Sequence, residues 1–201
     1  MTLGDGIRRN IATVTQEERD RLIAAFRKLD DANDPNMKYL DGVTFWDKQE
    51  GVHKAAHAGG QDVHGGLAFL AWHRELCNRV EGLLRKVDPQ LSLHYWDWTT
   101  DPRATPNGAG GTLNLFTHNF MGDDGSEGIN RISADDGGDA GVPFQDFETT
   151  EGGGHQFIWR NVAPGMPAVS SDHDILTSAD GLTQNQQFQQ FDSALQNAHN
   201  Y

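Results

Sequence analysis

Histidine is the side chain with which this sequence can do the most chemistry. The 201 residues include nine histidines and one cysteine, Cys77. A single cysteine cannot form an intramolecular disulfide, and it excludes a cysteine-based zinc site. Neutral imidazole, by contrast, is the commonest metal ligand among protein side chains. The histidines are therefore the first candidates for a functional site.

Three of them share an unusual position: His53, His73 and His199 each fall on the apolar face of a predicted helix. A lone histidine on such a face is more often a hydrogen-bonded core residue than a ligand. Burying several imidazoles together costs free energy unless something pairs with them, and a metal does so directly. Helix bundles build metal sites in this way, from side chains on facing helices. We therefore predict that these histidines bind metal.

His64 is a fourth candidate, because it is followed by two glycines that let the backbone approach a metal closely. With His53 and His73 it forms a set of three imidazoles without a carboxylate. Imidazole suits copper, zinc, iron and nickel, so ligand type leaves the metal open and a three-histidine zinc hydrolase remains an alternative. His57, one turn beyond His53, is an alternative ligand. We prefer His53 because it lies nearer the middle of the apolar face.

Four predicted helices must position these side chains. A capping box at Thr15-Gln16-Glu17-Glu18 starts the first, with the Thr hydroxyl and the Glu carboxylate expected to accept from free backbone N–H groups. The second is predicted over 45–57, the third over 67–87, and the last from near Thr183. The fold class is therefore mainly α, a helical bundle with long irregular loops rich in Gly and Asp, and residues 103–182 are mostly loop.

The inner faces of two helices follow from their apolar spacing. The third helix is expected to direct these residues inward: Leu70, His73, Leu76, Cys77, Val80, Leu84 and Val87. The last helix is expected to direct these inward: Phe188, Phe191, Leu195, Ala198 and His199.

Composition limits the class of protein further. Hydrophobic residues make up 36% of the chain and 23 residues are glycine, so a single domain over 1–201 with one core and much loop is expected. The formal charge of −13 repels phosphate backbones and anionic lipid, which argues against nucleic acid and membrane surfaces as partners. The first residues lack the apolar run of a secretory signal, which predicts a cytoplasmic protein, with export alongside a partner as the alternative.

A longer pattern points to a family. The run HGGLAFLAWHRELCNRVEGLL, followed by LSLHYWDWTTDP, resembles the first copper motif of the tyrosinases and catechol oxidases, which are type 3 copper proteins. The matching features are the nine-residue interval from His64 to His73, Trp72-His73-Arg74, Glu81 and Tyr95-Trp96-Asp97-Trp98. The N-terminal run GIRRNIATVTQEERDRLIAAF is similar to the opening helix of these proteins. The resemblance covers residues 7–101 and resumes near 188–201.

The resemblance implies a bundle that houses two copper ions with dioxygen bound between them, and an enzyme that oxidises phenols and o-diphenols to o-quinones. Its first copper would have three histidine ligands: His53, His64 and His73. Three charged residues would orient these ligands and brace the helix, or else support the fold as a buried polar network: Arg74, Glu81 and Asp97. Reversible dioxygen binding, as in hemocyanin, and a zinc-binding helical module are the alternatives.

The run FDSALQNAHNY is similar to the start of the family's second copper motif, with His199 as first ligand and Asn200 beside it. The next ligand of that motif is expected four residues later, after Tyr201. The remaining ligands of the second copper are therefore expected on a second polypeptide or on sequence beyond these residues.

Gln196 is the departure from the family with the largest expected effect. Bacterial tyrosinases often carry Glu at this position, which, with the Asn matched by Asn200, holds a water that deprotonates an incoming monophenol. A neutral amide orders water but is a poor proton acceptor. The resemblance thus implies catalytic roles for Gln196 and Asn200, and diphenol oxidation that is faster than monophenol hydroxylation.

Two other side chains have expected environments. His94 replaces the proline before Tyr-Trp-Asp-Trp and is expected to make a hydrogen bond at the surface or in the core. No cysteine lies near His64, so the Cys–His thioether of some family members is absent, and Cys77 is expected to be a small core residue.

Overall fold

The computed structural model of the protein describes residues 3–60, 62–117, 119–122, 144, 147–152, 155–157 and 183–199. These residues contain four α-helices: α1, Gln16–Leu29; α2, Phe45–Ala58; α3, Phe69–Val87; and α4, Gln184–His199. A short 3₁₀ turn, Pro35–Met37, lies between α1 and α2. The prediction of a mainly α fold is confirmed. The predicted starts of all four helices, and the predicted ends of α2 and α3, differ from the observed ones by at most two residues.

Two small antiparallel hairpins lie in the stretch that was predicted to be mostly loop. Strand β1, Thr105–Pro106, pairs with β2, Thr112–Leu113. Strand β3, Glu148–Gly152, pairs with β4, His155–Phe157, with an irregularity in the register between its ends. Both pairs are too short to form a layer of their own, so the helices remain the framework of the fold.

Helix α1 has the N-cap residue that the sequence predicts. The Thr15 hydroxyl accepts a hydrogen bond from the N–H of Glu18 at 3.2 Å, as an N-cap should. The Glu18 carboxylate is also engaged in the core: it is 2% exposed and accepts a hydrogen bond from His94 Nε2 at 2.9 Å. Because His94 Nδ1 accepts from the N–H of Arg9 at 3.1 Å, Nε2 must be the nitrogen that carries the proton. The expected hydrogen bond of His94 is thus confirmed, and it lies in the core.

The core lies where α1 packs against α3 and the extended segment that follows α3. Leu29, Leu84 and Leu91 are at most 1% exposed and form its centre. Tyr95, in that segment, donates its N–H to Arg9 and accepts from Ile11, which holds the N-terminal residues beside the core. The burial of these leucines stabilises the fold by about 1.5–3 kcal/mol each.

Glu81 connects three parts of the chain beside this core. Its carboxylate accepts from Arg8 at 2.5 Å, from Arg85 at 3.2 Å and from the N–H of Leu93 at 3.1 Å. Burial acts to raise the pKa of Glu81, but the hydrogen bonds from Arg8 and Leu93 outweigh it and hold the pKa below its usual value. The carboxylate is therefore a charged brace between the N-terminal segment, α3 and the segment after it.

Two predictions about side-chain burial are wrong. Cys77 is exposed rather than in the core. Phe188, predicted on the inner face of α4, is 40% exposed. The buried stripe of α3 is carried by Phe69, Leu83 and Leu84 together with Glu81, so the stripe is rotated away from Cys77. In the described part of the chain, no helix has the length and apolar character required to cross a bilayer.

Candidate metal centre

Three histidines from three different segments converge at one point. His53 comes from α2, His73 from α3, and His64 from the loop between these helices. His64 Nε2 lies 3.3 Å from His53 Nε2 and 3.2 Å from His73 Nε2. All three side chains are half-buried, and among the residues that the structure describes they are the one group of His, Cys, Asp or Glu with the spacing of a metal site.

These distances fit a set of ligands around one ion. Imidazole nitrogens bind such metals at about 2.0–2.1 Å, so two of them separated by a tetrahedral angle lie about 3.3 Å apart. The observed separations of 3.2 and 3.3 Å agree with this value. Three imidazoles without a carboxylate suit copper or zinc better than magnesium or calcium. The residues present therefore fit a copper ion, whereas the donor atoms alone do not distinguish copper from zinc.

Local structure positions each ring. Helix α2 begins at its N-cap Thr44, whose hydroxyl accepts from the N–H of Asp47 at 3.0 Å, and His53 lies two turns further on. His73 Nδ1 lies 2.8 Å from the carbonyl oxygen of Phe69, one turn earlier in α3. Because a carbonyl can only accept, His73 Nδ1 carries the proton and Nε2 is left with the lone pair that a metal requires.

The loop that carries His64 needs glycine at two positions. Gly65 has φ +76°, a left-handed conformation that other residues adopt at a cost. A Cβ added to Gly66 would lie 2.4 Å from Cβ of Asp62 and 3.0 Å from its carbonyl oxygen, which is closer than atoms pack. The two glycines after His64 therefore allow the loop to fold tightly and direct the imidazole toward the other two.

His57 lies on the other edge of the His64 ring. The Nδ1 atoms of these two histidines are 3.0 Å apart, and His57 is exposed. Burial lowers the pKa of His64, and the neighbouring His73 and His57 lower it further. A lowered pKa favours the neutral imidazole, which is the form that binds metal. The structure thus places His53, rather than its alternative His57, with His64 and His73.

Gln196 lies beside the same loop but in contact with protein. Its side-chain oxygen accepts from the N–H of Gly65, and its side-chain nitrogen donates to Asp192 Oδ2 at 2.7 Å. Gln196 is 7% exposed and Asp192 5%. A cavity of about 390 Å³ opens beside them and is lined by these residues: Gly65, Gly66, Leu67, Gln189, Asp192, Ser193 and Gln196. The role of Gln196 in ordering a catalytic water stays a prediction.

The other predicted site residues lie in different surroundings. His199 is the last residue of α4, and its side chain, like the whole of Asn200, lies outside the described residues. Arg74 is exposed. Asp97 closes its own turn, accepting from the N–H of Thr99 at 3.0 Å and from its hydroxyl at 2.6 Å. The contacts of Asp97, like those of Glu81, support the fold around the site.

Two contacts at the centre were not expected from the sequence: His57 with His64, and Gln196 with Gly65. The spacing of His53 and His57 was a usable signal for the first, because residues four apart lie on one face of a helix. Nothing in the local pattern indicated the second, because its partners are 131 positions apart in the sequence.

The chain is similar to known proteins over most of its length. Residues 43–201 match the family described as the common central domain of tyrosinase. The tyrosinase-like protein tyr-3 of Caenorhabditis elegans is 35% identical over 149 residues, 74% of this chain and 18% of that protein. Grixazone synthase of Streptomyces griseus is 31% identical over 131 residues, 63% of this chain and 38% of that protein. Hemocyanin beta-C chain unit G of Helix pomatia is 27% identical over 97 residues, 48% of this chain and 24% of that protein.

The match to the family model extends over more than half of the chain and includes the loop and both helices that carry the three histidines. The chain spans less than two fifths of the length of each of these curated relatives. By its matched residues and its cluster of imidazoles, this chain belongs to the tyrosinase family of type 3 copper proteins.

Proposed function

We propose that this chain takes part in the copper-dependent oxidation of o-diphenols to o-quinones by dioxygen. The observation that supports the proposal most directly is the convergence of His53, His64 and His73 Nε2 atoms at the spacing of ligands to one ion. Membership of the tyrosinase family supports copper as that ion, and a pair of copper ions as the full cofactor.

Two o-diphenol molecules each lose two electrons and two protons, and one dioxygen takes them up to form two molecules of water. Bound copper supplies the redox steps that couple these half-reactions, while the protein supplies placement and hydrogen bonds. In this chain, His73 is held by the Phe69 carbonyl and His64 by its tight glycine loop. Both rings are thereby oriented before a metal binds, which reduces the ordering that binding would otherwise require.

We further propose that o-diphenols are oxidised faster than monophenols are hydroxylated. Hydroxylation requires removal of the phenolic proton, and Gln196 is a neutral amide that cannot take it. Both ends of this amide already bond to protein, the oxygen to Gly65 and the nitrogen to Asp192. The family resemblance implies Asn200 as the second residue that would order water.

The proposed partners are a phenolic substrate and dioxygen. His199 would be the first ligand of the second copper, since it ends α4, the helix that contacts α3 and the His64 loop.

The first experiment is the copper and zinc content of the purified chain, without added metal and after dialysis against each metal. The proposal expects copper to bind, and expects the His73→Ala variant to lose it. Catechol oxidation, followed as quinone formation, is then measured with copper-loaded protein. Zinc in place of copper would contradict the proposal and favour the zinc-binding module.

Reversible dioxygen binding is the second candidate, and the similarity to the Helix pomatia hemocyanin unit favours it. A carrier would show absorption bands that appear with dioxygen and disappear on its removal, with little quinone formed. An oxidase would consume dioxygen in the ratio of one molecule to two catechols. Dioxygen uptake measured beside quinone formation therefore separates the two candidates.

A further inference from the structure

We propose that His57 is a positioning residue, which accepts a hydrogen bond from His64 Nδ1 and so holds the His64 ring with Nε2 toward the metal. The inference rests on the proposed metal site. It assigns a role to a histidine that is outside the set of three ligands and is exposed to solvent.

The two ring nitrogens of His64 face different neighbours. His64 Nε2 faces His53 at 3.3 Å and His73 at 3.2 Å, whereas its Nδ1 faces Nδ1 of His57 at 3.0 Å. The two nitrogens of an imidazole point away from each other. A metal bound by Nε2 therefore lies on the side of the ring opposite His57, and the two cannot share that ion.

Only one arrangement of protons satisfies this geometry when metal is bound. Metal binding requires a lone pair on His64 Nε2, so the ring proton of a neutral His64 must lie on Nδ1. The Nδ1–H then donates to Nδ1 of His57, whose own proton lies on Nε2. Ligand histidines in proteins almost always donate their second ring N–H to an acceptor, most often a carboxylate, a backbone carbonyl or water, and here the imidazole of His57 takes that place.

A comparison with His73 explains why the Nδ1–H of His64 has a side chain as its acceptor. His73 lies in α3 and finds the carbonyl of Phe69 one turn earlier, at 2.8 Å. His64 lies in the loop between α2 and α3, so it has no preceding helical turn of its own. Helix α2 supplies the acceptor instead, because His57 and His53 are four residues apart and lie on one face. One helix face thus provides both a ligand and the acceptor that orients its neighbour.

Removal of such an acceptor weakens metal binding by about 10–100-fold in known sites. We therefore compare two variants, His57→Leu, which removes the acceptor, and His57→Asn, whose side-chain oxygen can replace Nδ1. The probe is copper(II) alone, with affinity measured by competition with a chelator. His57→Leu is expected to lose about 10–100-fold in affinity, and His57→Asn to recover most of it. Lys48→Ala, on the same helix but bonded to Asp41, is the matched control and should bind like the parent chain.

A second measurement determines which ring nitrogen of His64 carries the proton in the metal-free chain. ¹⁵N NMR of histidine-labelled chain distinguishes a ring protonated on Nδ1 from one protonated on Nε2. His64 is expected to carry its proton on Nδ1 in the parent chain and in His57→Asn, and to redistribute it in His57→Leu. Thermal unfolding of the metal-free variants should match the parent, because His57 is exposed.

The outcomes separate the inference from the proposed function. If the parent chain fails to bind copper, the proposed function fails, while the NMR measurement still decides the role of His57. If the parent binds copper and His57→Leu binds it equally well with unchanged His64 resonances, the positioning role is wrong. Loss of one coordinated imidazole in His57→Leu, counted by X-ray absorption of the copper-loaded protein, would also overturn it, because His57 would then be a ligand.

Discussion

The backbone N–H of Gly65 donates a hydrogen bond to the side-chain oxygen of Gln196, which joins the His64 loop to α4. Asp192 accepts from the nitrogen of the same amide at 2.7 Å and completes the link. Since α4 ends at His199, this contact connects the segment of the first predicted copper site with the helix predicted to serve the second. Gln196 therefore fixes the position of the His64 loop relative to α4.

Replacing Gln196 by alanine should loosen this link. The change leaves the N–H of Gly65 and the buried carboxylate of Asp192 without their shared partner, at a cost of about 1–3 kcal/mol in the free energy of unfolding. Faster hydrogen exchange at the Gly65 amide and a lower urea midpoint are the expected results. Gln189→Ala, an exposed change on the same helix, should alter neither. Unchanged exchange at Gly65 in Gln196→Ala would show that the link does not hold the loop.

Replacing Gln196 by glutamate should create a pair of carboxylates. The new carboxylate would lie where the amide nitrogen now donates to Asp192 Oδ2, and two adjacent carboxylates cannot both ionise at low cost. One pKa of the pair is then raised above its unfolded value. Stability from a raised pKa is present at low pH and lost as the pH rises through it. Gln196→Glu should thus lose stability relative to the parent between acid and neutral pH.

The double variant Asp192→Asn with Gln196→Glu is the matched control, because it exchanges the amide and the carboxylate and restores one donor and one acceptor. Unfolding free energies of the three proteins at several pH values test the idea. Parallel pH profiles for parent and Gln196→Glu would contradict it. In the catalytically competent protein the double variant should also raise the rate of monophenol hydroxylation relative to diphenol oxidation, because a proton acceptor is then present.

Glu81 should make the stability of the fold depend on pH in the acid range. Its pKa is held below the usual value because the hydrogen bonds from Arg8 and the Leu93 N–H outweigh the effect of burial. The resulting stabilisation is complete above the usual glutamate pKa of 4.5, which applies to the unfolded chain, and is lost as the pH falls through the lower folded value. Glu81→Gln should therefore lower the free energy of unfolding at pH 7 by about 1.5–3 kcal/mol and by less near pH 3.

Urea unfolding at both pH values measures this difference. Glu17→Gln serves as control, because the Glu17 side chain is 69% exposed and lies 3.9 Å from Arg21. Such exposed pairs contribute little to stability. An equal loss for Glu81→Gln at pH 7 and pH 3 would mean that the charge of Glu81 is not what stabilises the fold.

Metal should stabilise the chain through the three histidines. A ligand that binds only the folded state at 100 times its dissociation constant adds about 2.7 kcal/mol. Copper(II) or zinc(II) should therefore raise the thermal midpoint of the parent chain, and His73→Ala should lose this increase. His94→Leu is the informative contrast: it removes the donor to the buried Glu18 carboxylate and lowers the starting stability, but should keep the increase caused by metal. Loss of that increase in both variants would argue against a specific site.

Gly66 should tolerate no side chain. A Cβ there would lie 2.4 Å from Cβ of Asp62, so the loop must move and carry His64 away from the other imidazoles. Gly66→Ala should thus lower both stability and copper affinity. Gly51→Ala is the matched control within α2, where an added Cβ meets nothing within 4 Å. Alanine is preferred in a helix interior by about 0.5–1 kcal/mol, so this change should stabilise the chain. Equal copper affinity in both variants would contradict the role of the tight loop.

The amino-acid sequence alone determined the helices, the family and the histidines to consider. Apolar spacing and capping residues act over a few positions, so the start of α1 and the bounds of α2 and α3 could be predicted to within two residues. The family motif is likewise continuous from His64 to Trp98, and spacing within it does not require knowledge of the fold.

Only the tertiary structure decided how these elements meet. Periodicity indicates that a helix has an apolar face, but the rotation of that face depends on what packs against it, which is why Cys77 and Phe188 are exposed. The sequence favoured His53 over His57 as a ligand, whereas only the structure shows that the two lie on different edges of the His64 ring. The bond between Gly65 and Gln196 joins residues 131 positions apart, and such contacts follow from the packing of the whole chain rather than from any local pattern.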